Sequence, residues 1–490
     1  MEHCGYVVEV KELRKHSNAD RLLIATFFRE DVVVSLDTNI GDKGVFFPCD
    51  LQLSLDFCVN NNLLRVMPDG TAGPGYMDPN KRNVKAIKLR GEKSSGLYLP
   101  ISCLAYTGVD LNTLNVGDTI TIVNGVEICR KYIPARTKNS NGPANKHKSN
   151  AKSYAKKDIA PTFFEHKDTE QLAYNLGEFK PGDDIEITLK VHGTSQRTAY
   201  VPVLQENTYE INNHIKGTIL KLLPKKSKLF KKLAKKWGKN PYQYDYISGT
   251  RRTVMDTFEG GFYGSNKFRE PYHEFFKGKL WKGETIYYEV VGYTHDGNPI
   301  MASGDTPKDY VSTYGKKMEF SYGCDPNGMR ANTAPDCVPA VPDKPQSRIF
   351  VYRMTMTNED GDVVEYTPDF MRYRCEQMGV ETVPVFWNGR IPEHPGASYD
   401  PTISAGEWVM NKAEQFYDGP DPIGKTHIRE GVVVRILNKP TFKAYKYKNW
   451  CFKCVEGLVK ETADAPDMEE ADGLDEEEVS ADVEYTSEGA

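Results

Sequence analysis

The stretch Ile185-Glu186-Ile187-Thr188-Leu189-Lys190-Val191-His192-Gly193-Thr194-Ser195 decides the fold of this chain. Apolar side chains recur at every second position from Ile185 to Leu189, which predicts a buried β-strand. Lys190 stands at the end of that strand, where a desolvated lysine amine can attack an electrophile. Gly193 would allow a phosphate or a ribose to approach the backbone. A lysine at the end of a strand is usually only a solvated charge, and a glycine there commonly marks a turn. This stretch alone therefore does not establish a reaction.

Residues 190–195, KVHGTS, resemble the nucleotidyl-acceptor motif of RNA ligases in the covalent nucleotidyltransferase superfamily. The branch that includes nick-sealing and editing ligases carries K-x-H-G-T-N/S, whereas DNA ligases and capping enzymes usually have K-x-D-G. The resemblance implies an α+β fold, with a nucleotidyltransferase domain of antiparallel sheets and helices. It also implies that Lys190 forms a covalent bond to AMP and that His192 and Gly193 contact the nucleotide. The alternative for His192 is a strand-end histidine that is satisfied within the protein.

Two further segments are similar to the next motifs of that family, in the same order. Residues 246–253, YISGTRRT, resemble the motif in which an arginine faces the bound phosphates. A guanidinium suits this role because its planar fork grips phosphate at two points, and we assign it to Arg252, with Arg251 as the competitor. Residues 286–292, IYYEVVG, resemble the strand in which Glu289 would bind the ribose or hold a water of the metal shell. A glutamate inside an apolar strand is costly unless it is paired, which favours a role in a site.

Residues 348–354, RIFVYRM, resemble the strand whose aromatic ring stacks on adenine. Alternation along the strand points Phe350 and Tyr352 to the same face, and the pattern favours Tyr352 for the stacking. Relatives often carry an acidic residue after this aromatic, whereas this chain has Arg353. The contact made by that neighbouring position therefore differs from the family pattern.

The last two motifs lie near the end of the resemblance. Residues 430–435, EGVVVR, match E-G-x-V-[IVL]-[KR], and Glu430 would bind Mg²⁺ or Mn²⁺ directly or through water. Residues 442–449, FKAYKYKN, are similar to the K-x-K motif. Lys446 and Lys448 share one strand face by their spacing, and would neutralise the α-phosphate as pyrophosphate leaves.

The length of 490 residues indicates more than one domain. Residues 1–130 contain short apolar runs separated by turn residues, which predicts a small β-barrel. Within them, residues 16–22 and 84–97 are similar to the N-terminal OB-type module of one RNA ligase group, which implies a nucleic-acid-binding domain. We expect a flexible basic linker over 131–160 and the nucleotidyltransferase domain over 161–460.

Two internal segments outside the motifs are distinctive in composition. Residues 293–346 are rich in glycine and proline and are predicted to be a surface insertion without chemistry. The insert 214–240 contains ten lysines and no acidic residue between Lys216 and Lys239, which predicts a basic amphipathic helix. Contact with RNA phosphates, a membrane surface, a partner groove or solvent alone would each explain such a helix, and the neighbouring motifs favour RNA.

Residues 461–490 hold 13 acidic and no basic side chains, and we expect them to be disordered. The net charge of the whole chain is −5, but the remainder has 63 basic against 55 acidic side chains, a net charge of +8. A basic body suits a polyanionic partner such as RNA.

Composition also excludes several classes of protein. The chain has no run of 18 apolar residues and no signal-peptide pattern, which predicts a cytoplasmic protein that does not enter a membrane. The ten cysteines are scattered, and the single C-x-x-C, from Cys451 to Cys454, has no second pair, which favours reduced thiols over a metal site. We predict no stable protein partner.

The resemblance as a whole implies an ATP-dependent RNA ligase that joins 3′-hydroxyl and 5′-phosphate ends at nicks or breaks. Lysyl-AMP and an adenylated 5′ end would be its intermediates. Two alternatives remain: a GTP-dependent capping-type nucleotidyltransferase with the same core, and a non-catalytic RNA-binding relative. Retention of Lys190, Glu289 and Glu430 argues against the second alternative.

Overall fold

A computed structural model describes most of the chain. The described residues are 3–49, 51–132, 159–204, 242–255, 257–259, 265–306, 310–330, 341–396, 402–450 and single positions at 222–233, 263 and 452. Most of the predicted linker, most of the lysine-rich insert and the whole acidic tail lie outside them. Within the described part, no helix is long and apolar enough to cross a membrane.

The N-terminal part consists mainly of short antiparallel strands. They are β1 (Gly5–Glu9), β2 (Leu13–Lys15), β3 (Leu22–Phe27), β4 (Glu30–Ser35), β5 (Lys43–Phe47), β6 (Leu51–Leu53), β7 (Ala86–Leu89), β8 (Glu92–Ser95), β9 (Leu97–Pro100), β10 (Thr119–Ile120), β11 (Ile122–Val123), β12 (Val126–Glu127) and β13 (Cys129–Lys131). One sheet has the order β10-β1-β5-β9 and another β2-β3-β4, with three strand pairs beside them. The predicted strand-rich region is present, but its described strands form separate sheets without a closed barrel, so the OB-type barrel stays a prediction.

The second part contains two larger sheets. Its strands are β14 (Glu170–Gln171), β15 (Asp184–Leu189), β16 (Thr194–Leu204), β17 (Tyr242–Gly249), β18 (Val254–Met255), β19 (Glu284–Gly292), β20 (Gly304–Asp305), β21 (Lys317–Met318), β22 (Gly328–Met329), β23 (Val341–Pro345), β24 (Ser347–Thr357), β25 (Val363–Glu365), β26 (Glu381–Thr382), β27 (Val385–Arg390), β28 (Gly431–Ile436) and β29 (Lys443–Lys448). A five-stranded sheet has the order β14-β29-β28-β15-β27. A seven-stranded sheet has the order β18-β17-β16-β19-β24-β25, with β26 beside β24.

Among the described residues, the α-helices are few and short. They are α1 (Leu55–Asn60), α2 (Glu270–Phe276), α3 (Val311–Tyr314), α4 (Pro368–Met378) and α5 (Ala405–Glu414). Helix α5 begins at a capping box, in which the Ser404 hydroxyl accepts from the Glu407 amide and the Glu407 carboxylate accepts from the Ser404 amide. Helices and strands together give the mixed composition predicted for the fold.

The five-stranded sheet has one apolar and one polar face. Side chains alternate along a strand, so Ile185 and Ile187 point away from Glu186 and Thr188. The apolar face packs against α5 through buried side chains of both elements: Ile185, Ile187, Val432, Val434, Ile436, Val409, Met410 and Ala413. The register places Thr188 opposite Val433, and Val433 opposite Lys446. The polar face is thus set by the same alternation that builds the core.

The seven-stranded sheet is organised around β19, all nine residues of which are buried. Its register with β24 shifts between Tyr287 and Tyr288, where Arg353 and Val351 are the successive partners. Tyr352 is the extra residue of this β-bulge. A bulge re-aims the side chain that it carries, so simple alternation with Phe350 does not hold through it.

The predicted surface insertion, residues 293–346, contributes to the core. Met318 and Tyr322 are fully buried, and Phe320 is 5% exposed. They join the main hydrophobic cluster of the second part together with Val191 of the lysine-bearing stretch. The prediction was wrong because glycine and proline content reports turns, whereas burial here depends on a few aromatic residues between those turns.

The two parts of the chain are in contact. The ring of Tyr174 lies 5.0 Å from the ring of Tyr6 and 5.0 Å from that of Phe28. Nearby, Nη1 of Arg29 lies 3.0 Å from a carboxylate oxygen of Glu414 at the end of α5. The N-terminal part therefore packs through aromatic and charged side chains against the elements that carry the polar face.

Candidate active site

Three charged side chains meet where β15, β28 and β29 lie side by side. Nζ of Lys190 lies 2.8 Å from Oε1 of Glu430, and Nζ of Lys448 lies 3.2 Å from the same oxygen. The register produces this meeting, because the Lys190 amide donates to the Gly431 carbonyl and Gly431 pairs with Lys448. The Glu430 side chain is 1% exposed and both lysine side chains are 11% exposed. The cluster is therefore buried and shielded from salt.

The charge state of Glu430 follows from its surroundings. Burial alone would raise the pKa of this carboxyl, but the ammonium groups of Lys190 and Lys448 outweigh burial and hold the pKa well below its ordinary value. Glu430 is therefore a carboxylate at neutral pH. A buried carboxylate between two amines in turn favours their charged forms.

His192 lies on the other side of the same carboxylate. Its Nδ1 is 3.5 Å from Oε2 of Glu430. Its ring meets those of Phe320 and Phe452 edge-on, at centroid distances of 4.8 and 4.7 Å. The ring is thus fixed by two aromatic side chains and by the carboxylate.

Gly193 is required by the packing of β19. A Cβ atom at this position would lie 2.5 Å from the Val290 carbonyl oxygen and 2.8 Å from Cγ of Glu289. Both distances are far below normal contact, so a larger residue would push β19 away. This close approach brings Glu289 beside the lysine-bearing stretch.

A cavity of about 90 Å³ lies between the polar face and the seven-stranded sheet. Its lining includes His166, Glu186, Thr188, Lys190, Arg251, Glu289, Tyr352, Arg372, Val433 and Arg435. The Tyr352 hydroxyl lies 2.9 Å from Oγ of Ser195, which orients the ring within the wall. The cavity thus brings together Lys190, Glu289 and Tyr352 from three of the predicted motifs.

The structure distinguishes the two candidate arginines. Both donate to Asp168, at 3.0 Å from Oδ1 for Arg251 and 3.0 Å from Oδ2 for Arg252. Arg251 lines the cavity and its side chain is 17% exposed, whereas that of Arg252 is 43% exposed. The buried guanidinium of Arg197 donates to the Arg251 carbonyl at 2.6 Å. Arg251 is therefore the arginine that the fold holds at the cavity.

Lys446 lies in a second, larger space. A cleft of about 800 Å³ separates the N-terminal part from the five-stranded sheet, and Lys446, Lys448 and Arg251 line it. Further lysines of its lining come from both parts: Lys85, Lys131, Lys167 and Lys443. The lining has seven lysine and arginine side chains against four acidic ones, so the cleft joins the Lys190 cluster to a surface of net positive charge.

Sequence reasoning missed several polar residues of the cavity wall. Glu186 and Arg372 both line the cavity, and the buried Glu186 carboxylate accepts from Arg372 at 2.7 Å. Burial, with the nearby charges of Arg353 and two other arginines, holds the pKa of His166 well below its ordinary value, so this ring is neutral. Only Glu186 offered a signal, as an acidic residue inside a predicted buried strand.

A divalent metal fits the carboxylates of the site. Among the described residues, no group of three or more His, Cys, Asp or Glu side chains could hold a metal by itself. Mg²⁺ keeps several waters and takes one or two carboxylates together with substrate phosphates. Oε2 of Glu430 is buried and accepts no hydrogen bond from any described residue, and Glu289 approaches the same lysine-bearing stretch at Gly193. Two carboxylates beside the lysine-bearing stretch match that number of protein ligands.

Comparison with known proteins identifies the fold. No protein-family model matches the chain, and no curated protein matches it. Among solved structures, a mutant of the RNA ligase of Naegleria gruberi with AMP and Mn is similar, with a TM-score of 0.50, 15% identity, and coverage of 92% of this chain and 97% of that chain. The same ligase with PPi gives a TM-score of 0.50 and 13% identity over 95% of this chain and all of the other. The chain therefore has the fold of these RNA ligase structures, as its motifs predicted.

Proposed function

We propose that this protein is an ATP-dependent RNA ligase that works through a lysyl-AMP intermediate. The observation that carries the proposal is the buried cluster of Lys190, Glu430 and Lys448 beside a cavity that contains Tyr352. The similar Naegleria structures, one with AMP and Mn and one with PPi, support the choice of nucleotide and metal. A basic cleft next to the cluster suits an RNA strand.

The reaction divides one difficult displacement into three steps. The neutral amine of Lys190 attacks the α-phosphorus of ATP, so that an N–P bond forms and pyrophosphate leaves. An oxygen of an RNA 5′-phosphate then attacks that phosphorus, and the bond to Lys190 breaks. Finally, a 3′-hydroxyl attacks the 5′-phosphate, a phosphodiester forms and AMP leaves.

The ion pair with Glu430 controls the first step. An ammonium has no lone pair for attack, and the contact of Lys190 with the Glu430 carboxylate favours that charged form. Lys190 must therefore lose a proton and part from Glu430 before it reacts. Lys448 stays beside the carboxylate and limits the cost of leaving it buried and unpaired.

The remaining residues bind and neutralise charge. Lys446, Lys448 and Arg251 would stabilise the phosphates as negative charge moves onto pyrophosphate. Glu430 and Glu289 would hold Mg²⁺ or Mn²⁺, which supplies further positive charge to the phosphates. Tyr352 would stack on the adenine ring, and His192 would orient Glu430.

Labelling with α-phosphate-labelled ATP tests the proposal. The wild-type protein should form an adduct with AMP that is destroyed by acid and resists alkali, as expected for a P–N bond. Lys190→Ala should reduce labelling by at least about 10³-fold, because no other group supplies the nucleophile. Lys443→Ala removes an exposed lysine of the same sheet, paired with Glu178, and should label normally.

Parallel reactions separate the alternatives. Labelled GTP in place of ATP would give the adduct in a capping-type enzyme, and no adduct with either nucleotide would indicate a non-catalytic RNA-binding protein. Nicked duplexes and single strands of RNA and DNA, incubated with ATP, then identify the substrate. Sealing of DNA nicks but not RNA nicks would contradict the assignment to RNA.

A further inference from the structure

The hydroxyl of Tyr322 contacts the nucleotidyl-acceptor motif directly. Tyr322 is fully buried, and its hydroxyl accepts a hydrogen bond of 2.7 Å from the backbone amide of His192. His192 stands between Lys190, two residues before it, and the close contact of Gly193 with β19. A tyrosine from residues 293–346 therefore fixes the backbone in the middle of the motif.

The backbone of Tyr322 is strained and firmly held. Its φ angle is 51°, in the left-handed region that a bulky residue rarely adopts. Nη1 of Arg348 donates to the Tyr322 carbonyl at 3.2 Å, and a Cβ atom on Gly424 would lie 2.5 Å from the amide nitrogen of Gly323. Strain of this kind persists only where the surroundings impose it, and such positions cluster at functional sites.

The loop that holds Tyr322 is the one that leads to Glu430. Gly424 lies six residues before Glu430, and the ring of His427 lies 4.5 Å from the ring of Tyr322. His427 and Asp421 are both fully buried, with Nε2 and Oδ2 3.5 Å apart. Tyr322 thus lies between the backbone that carries Lys190 and the loop that carries Glu430.

We infer that Tyr322 is a positioning residue for lysine adenylylation, which holds the backbone at His192 so that Lys190 and Glu430 stay in register. The inference rests on the proposed function, since it concerns the rate of the first step. Tyr322 lies behind the motif and acts through His192, so it need not contact the nucleotide. Its loss should slow adduct formation more than it weakens ATP binding.

Tyr322→Phe tests this role because it keeps the ring and removes only the acceptor. The His192 amide is then buried without its partner, and the single-turnover rate of adduct formation at saturating ATP should fall about tenfold. The ATP concentration that gives half the maximal rate should change less than about threefold. Tyr272→Phe is the matched control, since it removes a buried hydroxyl that bonds Ser347 at 2.7 Å in the same hydrophobic cluster.

The outcomes are distinct from those that test the function itself. If the wild-type protein forms no adduct with AMP, the proposed function fails. If the wild type forms the adduct and the rate for Tyr322→Phe is within twofold of the wild-type rate, only the positioning role is overturned. An equal slowing by Tyr272→Phe also overturns it, because general loosening of the core would then explain both. If Tyr322→Phe does not fold, Arg348→Lys provides a second test, because it weakens the hydrogen bond to the Tyr322 carbonyl. Adduct formation should then be slower than in the wild type, and an unchanged rate overturns the inference.

Discussion

The two faces of the five-stranded sheet are built from the same strands but have different roles: one packs in the core and the other lines the cavity. Ile187 points to the apolar face and is fully buried against α5, while its neighbour Thr188 lines the cavity. The same division separates Val434, which is buried in the core, from Val433, which lines the cavity. A period of two residues thus assigns alternate positions to stability and to chemistry. Substitutions on the two faces should therefore affect different measurements.

The largest effect should come from the charge at the centre of the polar face. Glu430→Gln keeps the shape of the side chain but leaves Lys190 and Lys448 without this carboxylate, and it would weaken the proposed metal site. Adduct formation should fall roughly 10²-fold or more, measured with labelled ATP at saturating concentration. A variant within threefold of the wild type would contradict the central place of Glu430.

The same variant has a pH signature in its stability. The folded-state pKa of Glu430 lies below the ordinary value of 4.5, so its ionisation stabilises the fold above that pH. This contribution is lost as the pH falls from 4.5 through the lower folded-state pKa. Glutamine does not titrate, so the difference in Tm between wild type and Glu430→Gln should narrow below pH 4.5.

An intermediate effect should separate the two arginines beside the cavity. Arg251→Ala should slow adduct formation about tenfold, because it removes a cation that lines the cavity. Arg252→Ala removes the more exposed partner of Asp168 and should change the rate less than threefold. Single-turnover rates of the two variants, measured side by side, distinguish the two arginines, and a larger loss in Arg252→Ala would support the assignment to Arg252 made from the motif.

The smallest effect on chemistry should come from the apolar face. Ile187→Ala leaves a cavity against α5 and should lower the free energy of unfolding by about 2–5 kcal/mol. The rate of adduct formation per folded molecule at low temperature should stay unchanged. Denaturant unfolding and active-site titration measure the two quantities, and a large loss of rate with intact stability would remove the distinction between the faces.

The sequence predicted the elements of the site better than their arrangement. The strand before Lys190, the glutamate of EGVVVR and the lysines of FKAYKYKN carry local patterns, and the fold brings Lys190, Glu430 and Lys448 into contact. The short motif favoured Arg252, but it could not show that Arg251 is the less exposed of the two, because exposure depends on neighbours distant in the chain. These include Asp168, 83 positions before Arg251.

Other features of the structure have no local signal in the sequence, because they depend on contacts between distant segments. The bulge at Tyr352 arises from the pairing of β24 with β19 and is invisible in the alternation of β24 alone. The hydrogen bond between His192 and Tyr322 spans 130 positions. The separate small sheets of the N-terminal part likewise depend on which strands pair, whereas the sequence predicted only that short strands occur.

The contact of Tyr174 with Tyr6 and Phe28 has a consequence for cutting this protein into pieces. A truncated chain that begins near residue 160 would expose the Tyr174 ring to water and leave Glu414 without Arg29. Such a surface favours self-association, so poor solubility of the fragment would imitate a loss of substrate recognition. Point changes on the cleft side of the intact chain avoid this confusion, since they keep the aromatic contact covered.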